Sequence, residues 1–291
     1  MKVTIRNDKL TVDIQSLGAE LASVRSADGI EYLWQGDPAH WSGRAPILFP
    51  YVGRLRGGCA ESACGPVVGG GHGFARHMEW TLTDKNDTAV TFTLHDSEET
   101  RAQYPYAFSL SLTYTLEGTA LYQIFTVGNP GKVPLPYCLG GHPAFNVPLC
   151  GQEHFEDYFI QFDCKETADC PQVDLAQGLI LSARNRFLTD SDRFSLNHVL
   201  FRGDALIFDD LRSSRVRLCS AVSGHGVELG MTGFGILGIW SPQNDAPFVC
   251  LEPWTGCATK EDEDDCFEHK TGMAQLLPGE RTEKRFSLRF F

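Results

Sequence analysis

The sequence predicts an all-β fold, built as a large antiparallel β-sandwich. Apolar and polar residues alternate in many short segments, and glycine, proline and asparagine separate these segments as turns. Helical periodicity is nearly absent, so the strand-like segments do not alternate with helices as they do around a parallel sheet. Many short strands without that alternation are typical of two antiparallel sheets packed face to face.

The clearest alternation covers residues 108–116, which keep a period of two for nine residues. Glu117 and Gly118 then turn the chain into a second strand over residues 121–127, which predicts a β-hairpin. The same pattern predicts strands at 10–14, 90–94, 216–218, 227–231 and 286–290. Only two short segments, 38–42 and 192–197, have a pattern compatible with a helical turn.

Composition limits the possible functions. The chain has 291 residues, 42% of them hydrophobic, and can therefore bury a large core without disulfide or metal support. We find no repeat and no linker, so residues 1–291 are expected to form a single domain. The net charge of -12 disfavours nucleic acid and acidic membrane surfaces as partners. No apolar segment is long enough to span a bilayer or resembles an export signal.

The ten cysteines do not indicate a disulfide scaffold, because the chain is too long and too apolar for that class. No pair has the CxxC spacing, so no metal site is predicted. Several cysteines, such as Cys138, Cys219 and Cys250, lie in apolar segments where a reduced thiol behaves as a small hydrophobic group. We expect reduced cysteines and a cytoplasmic protein. The acidic run 261–265 is expected to be a solvated loop.

The segment 238–256 contains the first candidate functional residue. Residues 248–251 form an apolar run typical of a buried strand, and Glu252 follows directly. Pro253 lacks an N–H group and favours an extended conformation at Glu252. A partly desolvated carboxylate beside Trp254 would have a raised pKa and could act as a base. An ordinary exposed glutamate at a strand end is the alternative.

Other polar residues stand in constrained positions. His142 follows two glycines and precedes a proline, and His72 lies in a glycine-rich segment that lacks the Gly-Lys-Ser/Thr of a phosphate loop. Arg54 ends a segment rich in apolar residues, and Asp204 precedes an apolar run. Taken singly, each residue has an ordinary structural explanation. His142 could be a structural histidine and His72 a turn residue, while Arg54 could be a surface arginine and Asp204 the start of a strand. The patterns alone predict a β-sandwich with a polar, aromatic-lined site.

Six segments in order carry a family resemblance: 17–21 (LGAEL), 46–54 (PILFPYVGR), 72–76 (HGFAR), 141–146 (GHPAFN), 204–208 (DALIF) and 250–256 (CLEPWTG). With them the chain resembles the aldose 1-epimerase (galactose mutarotase) family, in its shorter branch of mutarotase-like proteins. The resemblance implies a galactose mutarotase-like supersandwich that binds sugar on the concave face of one sheet. Residues 57–65 look like an insert that alters the rim of the site.

The resemblance also implies roles for individual residues. Glu252 matches the general base of the family and His142 its general acid. Arg54 and His72 match residues that hold the sugar hydroxyls, and Asp204 matches an aspartate that orients the substrate. Further candidates for substrate binding or stacking are Arg76, Trp240, Trp254, Phe49 and Phe145.

The implied activity is interconversion of the α and β anomers of an aldohexose, with a small sugar as partner and without metal or cofactor. One alternative is an epimerase for hexose 6-phosphates, for which Arg54, Arg56 and Arg76 could supply the basic cluster. Another is a carbohydrate-binding or sensing protein without catalysis, although binding alone does not require an acid–base pair. A glycoside hydrolase would need two carboxylates, whereas the partner of Glu252 is expected to be a histidine.

Overall fold

The computed structural model describes all 291 residues and confirms the predicted all-β class. In chain order the strands are β1 (Lys2–Arg6), β2 (Leu10–Gln15), β3 (Leu21–Ser26), β4 (Ile47–Leu48), β5 (Cys59–Ala60), β6 (Val67–Val68), β7 (Thr81–Lys85), β8 (Ala89–His95), β9 (Ser109–Glu117), β10 (Ala120–Gly128), β11 (Leu135–Tyr137), β12 (Gly140–Gly141), β13 (Ala144–Asn146), β14 (Tyr158–Glu166), β15 (Asp169–Val173), β16 (Ile180–Arg186), β17 (Ser191–Ser195), β18 (Leu206–Phe208), β19 (Arg215–Ser220), β20 (Gly226–Gly230), β21 (Ile236–Trp240), β22 (Phe248–Trp254), β23 (Ala274–Leu276) and β24 (Arg281–Phe290). The helices are α1 (Glu98–Gln103) and the short 3₁₀ turns Arg56–Gly58, Ala75–His77, Phe155–Asp157, His198–Phe201 and Phe267–His269.

A nine-stranded antiparallel sheet forms one layer, in the order β17-β14-β19-β20-β24-β10-β9-β8-β7. It contains the predicted hairpin of β9 and β10, in which Gly118 supplies the positive φ of 57° that the turn requires. In β9 every second side chain is buried, which is the pattern of a strand with one face on the core.

A smaller sheet forms the layer that carries the candidate site. Its order is β18-β21-β22-β12-β4, and β13 also pairs with β22. All seven residues of β22 are buried, because one face of this strand meets the core and the other meets the floor of a cavity. A Cβ on Gly141 would lie 2.7 Å from the ring of Phe286 in β24, so glycine lets the two sheets pack closely there.

All predicted strands occur within a few residues of their expected bounds. The helical interpretation of 192–197 is wrong: residues Ser191–Ser195 pair with β14 as an edge strand. Residues 38–42 contain one hydrogen-bonded turn, in which Trp41 N–H donates to the carbonyl of Asp37. The sequence analysis missed α1, which begins at a capping box between Ser97 and Thr100.

The acidic segment 261–265 is more ordered than a solvated loop. Arg56 donates to the carboxylate of Asp265 at 2.9 Å and to backbone carbonyls of the loop, among them that of Lys260 at 2.8 Å. No helix is long or apolar enough to cross a membrane. The main core cluster includes residues from both ends of the chain, Val3 to Phe290. This continuity supports a single domain, which remains a prediction.

Candidate active site

A cavity of about 900 Å³ opens beside the smaller sheet. Eight of the residues proposed from the sequence line it: Arg54, His72, Arg76, His142, Asp204, Trp240, Glu252 and Trp254. They come from five separate parts of the chain, so no spacing rule could have joined them. The volume and the mixture of aromatic and polar groups are those of a small-molecule site.

His142 and Glu252 form the centre of this cavity. The Nε2 atom of His142 lies 3.1 Å from Oε2 of Glu252, and both side chains are at least nine-tenths buried. The contact is close but not aligned as a hydrogen bond, and Oε2 of Glu252 has no other partner in the protein. The buried Nδ1 of His142 also lacks a partner. Buried polar atoms normally have partners, and a cluster without them is expected where a polar ligand binds.

The local backbone explains why these two side chains meet. Glu252 lies in β22 opposite Gly238 of β21, and His142 follows β12, which pairs with β22 through Gly140 and Trp254. A Cβ on Gly238 would lie 2.6 Å from the ring of Trp254, so glycine makes room for the indole beside Glu252. His142 also donates its backbone N–H to the carbonyl of Pro46 at 3.1 Å.

Burial favours the neutral form of each partner. It raises the pKa of Glu252 well above its ordinary value, with a smaller contribution in the same direction from Asp204. It lowers the pKa of His142 well below its ordinary value, and the nearby His72 and Arg76 lower it further. A neutral carboxyl and a neutral imidazole together hold one proton over the middle of the pH range.

His72 has a defined tautomer. Its Nδ1 atom accepts a hydrogen bond from the backbone N–H of Gly53 at 3.1 Å, so the ring proton is on Nε2. Burial, with the charges of Arg76 and Arg54, lowers the pKa of His72 to about 3. The backbone φ of His72 is 69°, which places the neutral ring over the cavity as a hydrogen-bond donor.

Two of the three arginines considered for the site line the cavity. Neither Arg54 nor Arg76 has an ion-pair partner within 4.0 Å, so both guanidinium groups are available to a ligand. Arg56 does not line the cavity, because its guanidinium is bound by the 261–265 loop. Including Arg56 in a basic cluster was therefore wrong.

The aromatic candidates separate into two groups. Trp240 is half-buried and Trp254 forms part of the cavity floor. Phe49 and Phe145 are fully buried in the hydrophobic core and do not line the cavity, so their proposed role in stacking is wrong. Each belongs to an apolar cluster between the sheets, where it stabilises the fold.

Trp41 was not predicted from the sequence, although it lines the cavity and stacks on the ring of His142. A tryptophan in an irregular segment next to Ser42 and Gly43 was the only available signal. Gln177 was also missed; it is an exposed residue of the loop that follows β15 and faces the mouth of the cavity.

Asp204, the residue with the weakest sequence support, is partly buried in the cavity wall. It has a φ of 77°, and its carboxylate accepts a hydrogen bond from the backbone N–H of Ala205 at 2.8 Å. A positive φ at a residue with a Cβ costs free energy, and such strain is often found at functional sites.

Donor atoms of His142, Cys250 and Glu252 lie within 4.8 Å of one another. Of these groups, Cys250 is fully buried, and burial raises the pKa of its thiol well above the ordinary value. A second group, Asp264, Cys266 and His269, lies outside the cavity.

The comparison with known families decides the classification. The family model described as aldose 1-epimerase matches residues 1–288. The chain belongs to the aldose 1-epimerase family. Among curated relatives, it is 38% identical to the chromosomal protein LacX of Lactococcus lactis subsp. lactis over 295 residues, which cover 99% of both chains.

Solved structures of this epimerase family confirm the galactose mutarotase-like fold. A galactose mutarotase related enzyme from Lactobacillus acidophilus has a TM-score of 0.95 and 34% identity, covering 100% of this chain and 97% of its own. A galactose mutarotase-like protein from Lactobacillus casei has a TM-score of 0.92 and 30% identity, and 100% of both chains is covered.

Proposed function

We propose that this member of the epimerase family is an aldose 1-epimerase that interconverts the α and β anomers of an aldohexose. The observation that carries the proposal is the contact of His142 with Glu252 at 3.1 Å inside a large cavity. Polar atoms without protein partners would also serve sugar binding, but binding alone does not require an acid–base pair. A close pair whose two pKa values burial shifts in opposite directions is explained if the pair moves protons.

The reaction needs one base and one acid. Glu252 takes the proton from the anomeric hydroxyl, His142 protonates the ring oxygen, and the bond between C1 and the ring oxygen breaks. The open aldehyde rotates about its C1–C2 bond. As the ring closes, Glu252 returns its proton to the aldehyde oxygen and His142 takes back the proton from the hydroxyl that becomes the ring oxygen. The sugar gains and loses no atoms, so side chains alone can supply the chemistry.

The single proton held by the pair is sufficient for this mechanism. Glu252 as a carboxylate and His142 as an imidazolium carry the same number of protons as the two neutral groups. Binding of the sugar can therefore select the reactive form without taking up a proton from solvent. The positive charge of Arg76 favours the carboxylate form of Glu252 but disfavours the imidazolium form of His142, so the selection must come from contacts with the sugar.

The remaining wall residues have the chemistry of a sugar-binding site. His72 presents a neutral N–H donor, Arg54 and Arg76 present unpaired guanidinium groups, and Asp204 presents a carboxylate. Trp240 and Trp254 offer apolar faces against which the C–H groups of a pyranose can pack. This arrangement supports a small-molecule sugar as the partner. The ten unpaired thiols support the cytoplasm as the compartment.

The direct test is polarimetry on a freshly dissolved α-aldohexose, with protein that has been dialysed against a chelator. We expect the approach to anomeric equilibrium to be faster than in buffer and to be independent of nucleotide. Binding of the sugar without acceleration would favour the sensing protein instead. Activity lost on chelation and restored by a divalent metal would contradict the proposed chemistry.

A hexose 6-phosphate is the second candidate substrate, because two unpaired guanidinium groups line one cavity. An anion beside Arg54 and Arg76 would gain charge-assisted hydrogen bonds. The same assay with a 6-phosphorylated and a neutral hexose separates the two candidates. Acceleration of the phosphorylated sugar alone, lost in an Arg54→Gln variant, would assign the phosphate-specific activity.

A further inference from the structure

No other residue forms an aligned hydrogen bond with the imidazole ring of His142. Its Nδ1 atom has no partner, and its Nε2 atom approaches Glu252 without the alignment of a hydrogen bond. A functional histidine is usually oriented by the hydrogen bond that its other nitrogen makes. The orientation of His142 must therefore come from packing.

Trp41 makes the stacking contact with this ring. The two rings stack with centroids 5.0 Å apart and an interplanar angle of 27°. Trp240 and His72 meet the imidazole in edge-on arrangements, each with centroids 5.6 Å away. Trp41 thus covers a face of the imidazole, while the other two aromatic rings limit its rotation.

The segment around Trp41 is held in place by contacts outside the cavity. The Nε1–H of Trp34 donates to the carbonyl of Trp41 at 2.8 Å. A Cβ on Gly43 would lie 2.5 Å from the indole of Trp41, so only glycine leaves room for the ring in this position. The carboxylate of Glu20 accepts the backbone N–H groups of Arg44 and Ala45, both at 2.9 Å.

The same segment also fixes the backbone at His142. The carbonyl of Pro46 accepts the N–H of His142 at 3.1 Å, and the carbonyl of Arg44 accepts the N–H of Ala144 at 2.8 Å. Glu20 therefore holds a segment that contacts both the ring and the backbone of His142. Glu20 belongs to the 17–21 motif, and no residue of that motif lines the cavity.

We propose that Trp41 is a positioning residue for His142, and that Glu20 holds the segment from which Trp41 reaches the imidazole. The inference rests on the proposed epimerase function, in which His142 must aim its proton at the ring oxygen of the sugar. It gives the 17–21 motif a role in the site without contact with substrate. A stacked indole also excludes water from one face of the imidazole, which adds to the effects of His72 and Arg76 on its titration.

The test compares Trp41→Phe, which retains an aromatic face, with Trp41→Ala, which removes it. We expect Trp41→Ala to lower kcat about tenfold or more with little change in KM, because a misaligned proton donor slows the reaction and not the binding. Trp41→Phe should stay within about threefold of wild type in kcat. A rise in KM alone would make Trp41 a sugar contact and overturn the proposal.

A second readout does not depend on activity. NMR titration of the histidine ring, assigned with His142→Asn, should find that the pKa of His142 lies well below the ordinary value of about 6.5 in wild type and in Trp41→Phe. In Trp41→Ala the midpoint should move upwards towards about 6.5 because water reaches the ring. An unchanged titration in Trp41→Ala would overturn the proposal even if kcat fell. If wild type has no epimerase activity, the proposed function fails, but the titration still tests the positioning.

Glu20 provides the matched pair of variants. Glu20→Gln keeps one oxygen that can accept both backbone N–H groups, and it should resemble wild type in kcat and in the titration of His142. Glu20→Ala removes the acceptor and should reproduce the effects of Trp41→Ala. If Glu20→Gln and Glu20→Ala behave alike, the hydrogen bonds from the backbone of Arg44 and Ala45 to Glu20 do not hold the segment with Trp41 in place.

Discussion

At the scale of single residues, burial holds the site in defined protonation states. His72 accepts a hydrogen bond on Nδ1 and His142 lies among aromatic rings, so protonation of either ring would cost free energy in the folded state. The pKa of Glu252 shifts in the opposite direction, since burial raises it. These states have measurable consequences for stability and for rate.

The pKa of His72 predicts a loss of stability in acid. Between its ordinary value of about 6.5 and the folded value of about 3, the unfolded chain binds a proton that the folded chain does not. Stability therefore falls as the pH falls through this range, by on the order of 2 kcal/mol between pH 7 and pH 5 from His72 alone.

The variant His72→Asn should lose about 2 kcal/mol less than wild type over the same pH interval in urea unfolding. Asparagine tolerates the positive φ of 69° and can accept the N–H of Gly53, so the local structure should be retained. His95→Asn, at an exposed position, serves as the control and should lose as much as wild type. Equal losses in all three proteins would contradict the account of His72.

The His142–Glu252 pair predicts the pH dependence of the rate. The pair gains a second proton only below the lowered pKa of His142, and it loses its one proton only above the raised pKa of Glu252. After subtraction of the buffer rate, kcat should therefore be constant through about pH 6.5, the ordinary value of a histidine. An inflection near 6.5 would mean that His142 titrates as an exposed residue.

At the scale of elements, the site depends on close contact between β12, β22 and β24. The long strands were predictable because alternation over five or more residues identifies a face on the core. The two-residue strands β4 and β12 have no such signal, although their pairing holds the backbone that directly precedes His142. The segment with Trp41 was unpredictable for another reason: its role comes from tertiary contacts with Glu20 and Trp34.

The packing of β12 on β24 predicts the effect of a single methyl group. Gly141→Ala places a Cβ 2.7 Å from the ring of Phe286, inside a packed core. We expect a loss of about 1–3 kcal/mol in the free energy of unfolding, as for other overpacked cores. Gly235→Ala, where no atom lies within 4 Å, should change it by less than about 0.5 kcal/mol in the same denaturation assay. Similar losses in both variants would refute the steric explanation.

At the scale of the whole molecule, fold class and family were predictable because six motifs occur in order along the chain. The meeting of His142, Glu252, Arg54 and Asp204 could be expected only through that resemblance, since residue spacing relates none of them. Physical patterns alone also failed to separate cavity aromatics from core aromatics, as the burial of Phe49 demonstrates.

The ten unpaired cysteines give a prediction for the whole chain. Five of them are buried, and the core is large enough to need no covalent link. Thiol titration of the protein unfolded without reductant should count ten thiols. Several missing thiols would contradict both the unpaired cysteines and the proposed cytoplasmic compartment.

The most direct test of the central claim is the rate of anomer interconversion by Glu252→Gln, followed by polarimetry. The amide retains the shape of the side chain but cannot take a proton, so mutarotation should be abolished while sugar binding survives. Glu228→Gln changes a buried glutamate outside the cavity and should retain the wild-type rate. His142→Asn should lower kcat by about 10² to 10⁴. A wild-type rate in Glu252→Gln would contradict the account, because Glu252 could then not be the base.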